Sequence, residues 1–492
     1  MSPIKRNIGW LLLSQGATWI VSILTLLLVP NELGDELFGE ISFAAVYVSF
    51  FGLVAGYGTN EFLTKTLSRA TLDTGHYLYN TLIMKLIASL SCAALAVGIG
   101  VALGFDRQRT ALVIVFCIGL VFGTLNGVLL GGYHALQRMG RPALLNAISL
   151  YVGALAGITI LLTGGSVVSY ALAFNLAFAI PLVGNFIGML PELRTSSGVD
   201  RRVWTHVITG SFPFFVLSGL LLIYGSVDIV MLEVMAGTDV VGWYTLAYRW
   251  VGLPAFFAVV VSTAFFPALS AEGVAVSGSF KAMANRAMFV VIAVTVPAAI
   301  GIGLVADDFI SLVYGEDFRQ VVPIMQLLAL HLPIVGIDVV LGAVVVAVDR
   351  QRLWMVLSAV GCLFNPLANL FAIPYATRTF DNGAIGAAFA TLLTEMVVLG
   401  GALLIIPRGI LSRYTLSLGW RIFLASAAMI PVLLALDSTP LYIRIMLGII
   451  VYAMMSLALK TTSISEVRQL LTSFRNRGGP HETNDVPADA QR

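Results

Sequence analysis

Charge is what this sequence has least of. Only 11% of its 492 residues are Asp, Glu, Lys or Arg, whereas 58% are hydrophobic; soluble domains carry roughly a quarter charged residues. The chain therefore reads as an integral membrane protein. A span takes about 20 apolar residues, so most of the length is consumed by spans. No polar loop exceeds about twenty residues, which leaves no room for a separate soluble enzyme domain. A formal net charge of +2 gives no reason to invoke nucleic acid. Cysteine is scarce too: Cys92, Cys117 and Cys362 each lie inside an apolar run, without metal-ligand spacing, and read as small core residues rather than disulfides or zinc ligands. The N-terminal apolar stretch is longer than a signal-peptide core and has no A-x-A cleavage site, so it reads as an uncleaved first span.

What is present is a series of fourteen apolar runs, from about residue 8 to about residue 459. The basic residues fall in every second loop: Lys5 and Arg6; Lys65 and Arg69; Arg138 and Arg141; Arg194, Arg201 and Arg202; Lys281 and Arg286; Arg350 and Arg352; Arg408 and Arg413. Retention of Lys and Arg on the cytoplasmic side then predicts cytoplasmic N- and C-termini. "DRQR" at 106–109 breaks the pattern. Val467, Leu470, Leu471 and Phe474 share one helical face, which predicts an interfacial helix over 464–477 before a polar tail.

A repeat runs through these spans. Gly34 and Gly39 have the spacing of Gly237 and Gly242, at an offset of 203 residues, and each pair sits in a tight turn between two long spans. "GGYHALQRMGRP" and "GAVVVAVDRQRL" match later at an offset of 211. An even number of spans separates the copies, so the halves run parallel about an axis along the membrane normal. The expected organisation is a six-helix lobe (1–192), an interlobe linker (193–205), a second six-helix lobe (206–407), two additional transmembrane helices (408–460) and a tail (461–492).

The stretch "SFPFFVLSGLLLIYGSVDIVMLEVMAGTDVVGWYTLAYRWVGLP", followed by "FFPALSAEG" and "SFKAMANRA", resembles the seventh and eighth spans of Wzx-like polysaccharide transporters. These belong to the MOP (multidrug, oligosaccharidyl-lipid, polysaccharide) exporter superfamily. The Asp before the G-x4-G-x-Y turn and the A-Y-R ending carry the resemblance. It implies an all-α, V-shaped flippase, not an enzyme. Its cargo would be undecaprenyl-diphosphate-linked oligosaccharide, moved across the bacterial inner membrane for O-antigen, exopolysaccharide or capsule assembly. A polysaccharide polymerase and chain-length machinery would be its partners.

Each ionisable residue at membrane depth costs about 2.5–3.5 kcal/mol on insertion scales, so the few present are candidates for function. Counting ~1.5 Å per residue from the glycine turn puts Asp228 about 13 Å deep and Arg249 about 10 Å deep on the next, antiparallel helix. Either they form a structural ion pair, or Arg249 is a cavity cation for the lipid diphosphate with Asp228 as its partner or as a coupling acid. The counterpart of Asp228 in the first half is Thr25. Lys85 is a second candidate headgroup cation, or else it snorkels. Glu233 is expected at the outer vestibule. Asp338 and Glu395, near mid-span, are candidates for coupling to H+ or Na+, as is His331 for proton relay. Pro213, Pro254, Pro297, Pro323 and Pro333 are candidate hinges. No metal site is expected. Two other classes stay open. A membrane glycosyltransferase or polymerase would use carboxylates such as those of "NELGDE" and "DDFISLVYGEDF"; a cation-coupled multidrug exporter of the same superfamily would have mostly twelve spans and few cavity cations.

Overall fold

A bilayer core offers no hydrogen-bond partner to an exposed peptide group, so a chain this apolar must close its backbone bonds within helices or a barrel. The computed structural model describes residues 3–68, 73–194, 198–272, 276–411, 413–437 and 439–461. Among them there is no strand. The amphipathic segment expected at 464–477 lies outside the described residues. In chain order the helices are α1 (Pro3–Gly56), α2 (Thr59–Leu67), α3 (Thr74–Ala102), α4 (Arg107–Ala135), α5 (Gly140–Leu162), α6 (Val167–Leu176), α7 (Ala179–Leu193), α8 (Arg201–Met235), α9 (Thr238–Glu272), α10 (Gly278–Tyr314), α11 (Val321–Ala347), α12 (Gln351–Phe380), α13 (Gly383–Ile405), α14 (Arg413–Ala427), α15 (Met429–Ala435) and α16 (Leu441–Ala458).

Thirteen helical segments among the described residues are long and apolar enough to cross a membrane. The first of them is two spans. At 54 residues α1 would be about 80 Å of straight helix, far more than the ~30 Å hydrocarbon core. The chain breaks at Gly34, whose φ of 76° and ψ of 174° belong to a region essentially reserved for glycine. Counted that way, the structure has the expected fourteen spans.

The helices α1–α7 pack among themselves, as do α8–α13, and α14–α16 lie against α10. Arg444 pins this last group. Its guanidinium meets Asp308 at 2.6 Å and Asp437 at 3.2 Å, and donates to the Leu433 carbonyl at 3.0 Å. The two main groups meet along α1 and α9, and there the repeated glycines touch. A Cβ on Gly39 would stand 1.8 Å from the Thr238 carbonyl oxygen, and one on Gly242 would stand 2.3 Å from the Asp35 carbonyl oxygen. Thr238 and Asp35 are themselves 203 residues apart, so the contact is reciprocal, as a two-fold relation between the copies requires. Small residues at such a crossing let backbones approach and pack.

Further contacts surround this crossing, at what we call the glycine face. Pro30 lies inside α1 and has no N–H to give to the carbonyl four residues back. That carbonyl, of Leu26, accepts the Tyr314 hydroxyl at 2.8 Å instead, and Tyr314 in turn accepts the Trp250 indole N–H at 2.7 Å. Trp243 donates to the Asp35 carboxylate at 2.8 Å, and Asn31 to the Val313 carbonyl at 2.8 Å. At the opposite, basic face it is the first half of α8 that crosses to α2 and α3. There the site of a Cβ on Gly210 is filled by the Phe62 ring, and Tyr77 bonds His206 at 2.9 Å.

The second repeat match has a different register from the one the letters suggest. Gln137 (φ 55°) and Asp349 (φ 60°) both end their helices in the left-handed region. The following residues, Arg138 and Arg350, bond back to Tyr133 and Val345. Equivalent caps are thus 212 residues apart, not 211, because backbone geometry rather than the arginines aligns the copies. The copies also diverge: α1 ends where Tyr57 and Gly58 both adopt positive φ (52° and 64°), whereas α9 runs unbroken through the corresponding Val260 and Val261.

A methyl group at the crossing has nowhere to go. Gly39→Ala and Gly242→Ala are each expected to destabilise the detergent-purified protein by roughly 3 kcal/mol or more, read as a fall in thermal midpoint or as loss of monodisperse protein. Gly98→Ala, whose Cβ would meet nothing within 4 Å, is expected to change little.

Candidate functional site

Asp228 is buried where α8, α9, α12 and α13 converge. Its Oδ2 accepts the Tyr244 hydroxyl at 2.7 Å and the Thr391 hydroxyl at 3.1 Å, and its Oδ1 accepts the Asn369 amide at 2.6 Å. Asn369 also donates to Asn365 Oδ1 at 3.0 Å, and its own carbonyl oxygen is buried without a protein partner. Every partner is neutral. The expected pairing with Arg249 is therefore corrected: Arg249 is not among the groups that hold Asp228. The reason is azimuthal. Tyr244 and Arg249 are five residues apart on α9, about 140° around the helix, so when Tyr244 reaches Asp228, Arg249 points elsewhere. Its side chain is exposed, with the guanidinium 5.5 Å from the centroid of the Phe38 ring of α1. No described carboxylate forms an ion pair with it. An exposed guanidinium over a ring face, midway between the two helical groups, remains able to bind an anion.

Lys85 is not a free headgroup cation. It is buried, and its Nζ donates to the Ala55 and Gly56 carbonyls at 2.8 and 2.9 Å, closing the end of α1. Those carbonyls are released by the break at Tyr57 and Gly58, and a cation at a helix C-terminus also complements the helix dipole.

Glu233 does not face a vestibule. It is five residues beyond Asp228, on another face of α8, and is buried against Arg109 of α4 at 2.6 Å. Arg109 also donates to Thr238 at 2.9 Å, and Gln108 beside it donates to Glu40 at 2.7 Å. The "DRQR" segment that breaks the charge pattern is thus explained: its last arginine ties the first helical group to the second at the glycine face. The misplaced positive charge was the signal that could have found it.

Asp338 and Glu395 are brought together where α11 packs on α13, both buried. Glu395 accepts the Tyr224 hydroxyl, whereas neither oxygen of Asp338 has a hydrogen-bond donor among the described residues. His331 stays with its own helix, Nδ1 lying 3.2 Å from the Leu328 carbonyl. Pro213, Pro254, Pro297 and Pro333 lie inside helices. Pro323 does not qualify as a hinge: it is the third residue of α11, where an N–H has no helical partner to lose. The three cysteines are free and buried. Among the described residues no group of three His, Cys, Asp or Glu could hold a metal ion.

Residues 4–271 match the family of polysaccharide biosynthesis proteins. The chain belongs to that family. Residues 187–460 also match the lipid II flippase MurJ family. A putative O-antigen transporter of Shigella dysenteriae is 21% identical over 80% of this chain and 98% of its own length. A probable low-salt glycan biosynthesis flippase, Agl15 of Haloferax volcanii, is 21% identical over 75% of this chain and 76% of its own. Among solved structures, lipid II flippase MurJ in an inward closed conformation superposes with a TM-score of 0.74 at 18% identity, over 94% of this chain and all of that one. An inward-facing MATE family transporter of the MOP superfamily gives 0.58 at 16% identity, over 77% and 94%. The fold of this family member is accordingly that of a two-lobed, all-α MOP-type membrane protein.

Breaking the glycine-face ion pair from one side strands a buried charge. Arg109→Ala is expected to cost about 3–5 kcal/mol, measured as a lowered thermal midpoint. Adding Glu233→Gln is expected to restore much of the loss, since the orphaned carboxylate is then gone; independent, additive effects would show that the pair is not coupled.

Proposed function

We propose that this protein is a flippase that moves polyprenyl-diphosphate-linked oligosaccharide across the cytoplasmic membrane for cell-surface polysaccharide assembly, by alternating access of its two lobes. The observation that carries the reading is Arg249. An unpaired guanidinium at membrane depth is costly, and it is retained here on the helix that forms the lobe-to-lobe contact. A lipid diphosphate is the anion that would repay that cost, with its polyprenyl tail left in the bilayer between the lobes. In this reading the basic face and both termini are cytoplasmic, and the glycine face is the closed outer gate. The interior prolines of α8–α11 give the lobes their hinges, and the polymerase and chain-length machinery receive the product.

The glycosyltransferase reading loses support from the acids it would need. Of these, Asp35 accepts from Trp243 and Asp308 pairs with the buried Arg444, so one carboxylate of each stretch is spent on structure. A multidrug exporter would share the fold, but Arg249 in the interlobe space suits an anionic cargo better than a cationic one.

Coupling belongs to the second lobe in this reading. Asp228 with the side-chain oxygens of Asn365, Asn369 and Thr391 offers a hard, oxygen-only site suited to Na+, and the facing acids Asp338 and Glu395 offer a place for H+.

Depletion of the protein is expected to accumulate lipid-linked oligosaccharide in the inner leaflet, read by a leaflet-resolved assay; unchanged arrival at the outer leaflet would sink the flippase reading. In proteoliposomes, Arg249→Ala is expected to lower transport at least tenfold and Arg249→Lys to retain part of it. Asp228→Asn is expected to remove any acceleration by an imposed Na+ gradient; acceleration that persists in this variant would place coupling elsewhere.

A further inference from the structure

The break that ends α1 at Tyr57 and Gly58 has no counterpart in the second lobe, and beside it lies a cavity of about 420 Å³. Its walls come from the second half of α1, from α2 and α4, and from Ser218 of α8. Gly123 and Gly127 of α4 line it, and a Cβ on either would meet nothing within 4 Å, so the space begins at the helix backbone. The Tyr57 ring, stacked on Phe215 with centroids 4.5 Å apart, forms an aromatic wall. Thr124 and Ser218 bring hydroxyl-bearing side chains to the lining, whereas the side-chain oxygen of Asn60 turns away toward Gly131. Lys85, the one cation in the lining, has two of its hydrogens taken by helix carbonyls. Glu61 is exposed and forms no ion pair with any described residue.

A diphosphate does not fit this place. The Glu61 carboxylate offsets the Lys85 ammonium, so the lining offers no net positive charge to hold it, and the cavity is at the wrong level: the paired glycines mark one height, Arg249 is seven residues from Gly242, and Tyr57 is eighteen from Gly39. The cavity is therefore about 16 Å nearer the basic face than the guanidinium. Mostly carbon walls with a few fixed polar groups suit a ligand that is apolar on its faces and hydroxylated at its rim. A pyranose has that character: C–H faces for the edge of the Tyr57–Phe215 stack, and hydroxyls for Glu61, Thr124 and Ser218 of the lining.

We propose that the first-lobe cavity seats a sugar of the transported headgroup, and that Glu61 makes it accept neutral or amino sugars and reject uronic acids. The proposal rests on the flippase reading and adds to it a site of glycan selection apart from the diphosphate site.

The test uses the full-length protein in nanodiscs and three probes: bare polyprenyl diphosphate, and the same lipid carrying a neutral or a uronic-acid-containing tetrasaccharide. The neutral glycolipid is expected to bind at least fivefold tighter than either other probe. Glu61→Gln, whose amide oxygen still accepts a sugar hydroxyl, should narrow the gap between the two glycolipids to less than twofold, chiefly by raising the affinity for the uronic-acid one. Gly127→Leu, which fills the cavity, should abolish the advantage of the sugar while leaving the bare lipid unaffected; the thermal midpoint of each variant verifies folding. Unchanged discrimination in Glu61→Gln, or no advantage of the neutral glycolipid over the bare lipid, overturns the sugar site and leaves the flippase reading standing. Failure of the wild-type protein to bind any of the three probes overturns both.

Discussion

Two helices from different halves of the molecule approach at Gly39 and Gly242 so closely that each occupies the space where the other's side chain would begin. The separation of α1 and α9 is set there by backbone, not by compressible side chains, and the neighbouring groups depend on it. Trp243 meets Asp35, Thr238 comes within reach of Arg109, and Tyr314 reaches the carbonyl that Pro30 leaves free. These bonds are directional and lost within about an ångström or two of displacement. The glycine face is thus a cooperative latch, and a separation of the lobes there breaks the set together. Hydrogen bonds to charged groups are the stronger members, here Arg109 with Glu233 and Trp243 with Asp35.

Duplication has been followed by a division of labour. The first half ends its α1 with two left-handed residues, which strands two carbonyls for Lys85 and leaves a cavity beside them. The second half keeps the equivalent helix continuous and instead carries the unpaired cation Arg249 and the buried acids Asp228, Asp338 and Glu395. Thr25, at the position matching Asp228, only bonds carbonyls of its own helix. Symmetry of path with asymmetry of chemistry suits a machine whose halves must move alike and bind differently.

The spans, the kink between the first two and the repeated glycine turns were legible because hydropathy and Gly spacing are local signals. The buried charges were legible as a set, but their partners were not. Counting residues from a turn gives depth and leaves azimuth and neighbouring helices undetermined. Asp228 and Arg249 share a level yet turn away from each other, and Glu233 faces a helix more than a hundred residues earlier. Lys85 reads in the sequence as a headgroup cation or a snorkelling one because nothing in its own span shows that Ala55 and Gly56 need donors. The doublet of left-handed residues in "GYG" held that information, since a helix that ends inside the membrane must have its last carbonyls satisfied.

Arg249 and Tyr244 lie on opposite sides of one helix, and the two charges they serve want ligands of opposite sign. On the flippase reading, cargo anion and coupling cation bind on either side of α9, within a few turns of the Gly242 crossing. A cation drawn to Asp228 competes for the oxygens that now accept from Tyr244 and Thr391, and any shift of Tyr244 rotates or tilts the segment that carries Arg249. That segment begins at the latch, so the same displacement strains the Asp35–Trp243 and Arg109–Thr238 bonds. One rigid helix, clamped at its start and charged on one side, is a sufficient physical link between ion binding, cargo binding and the opening of the glycine face.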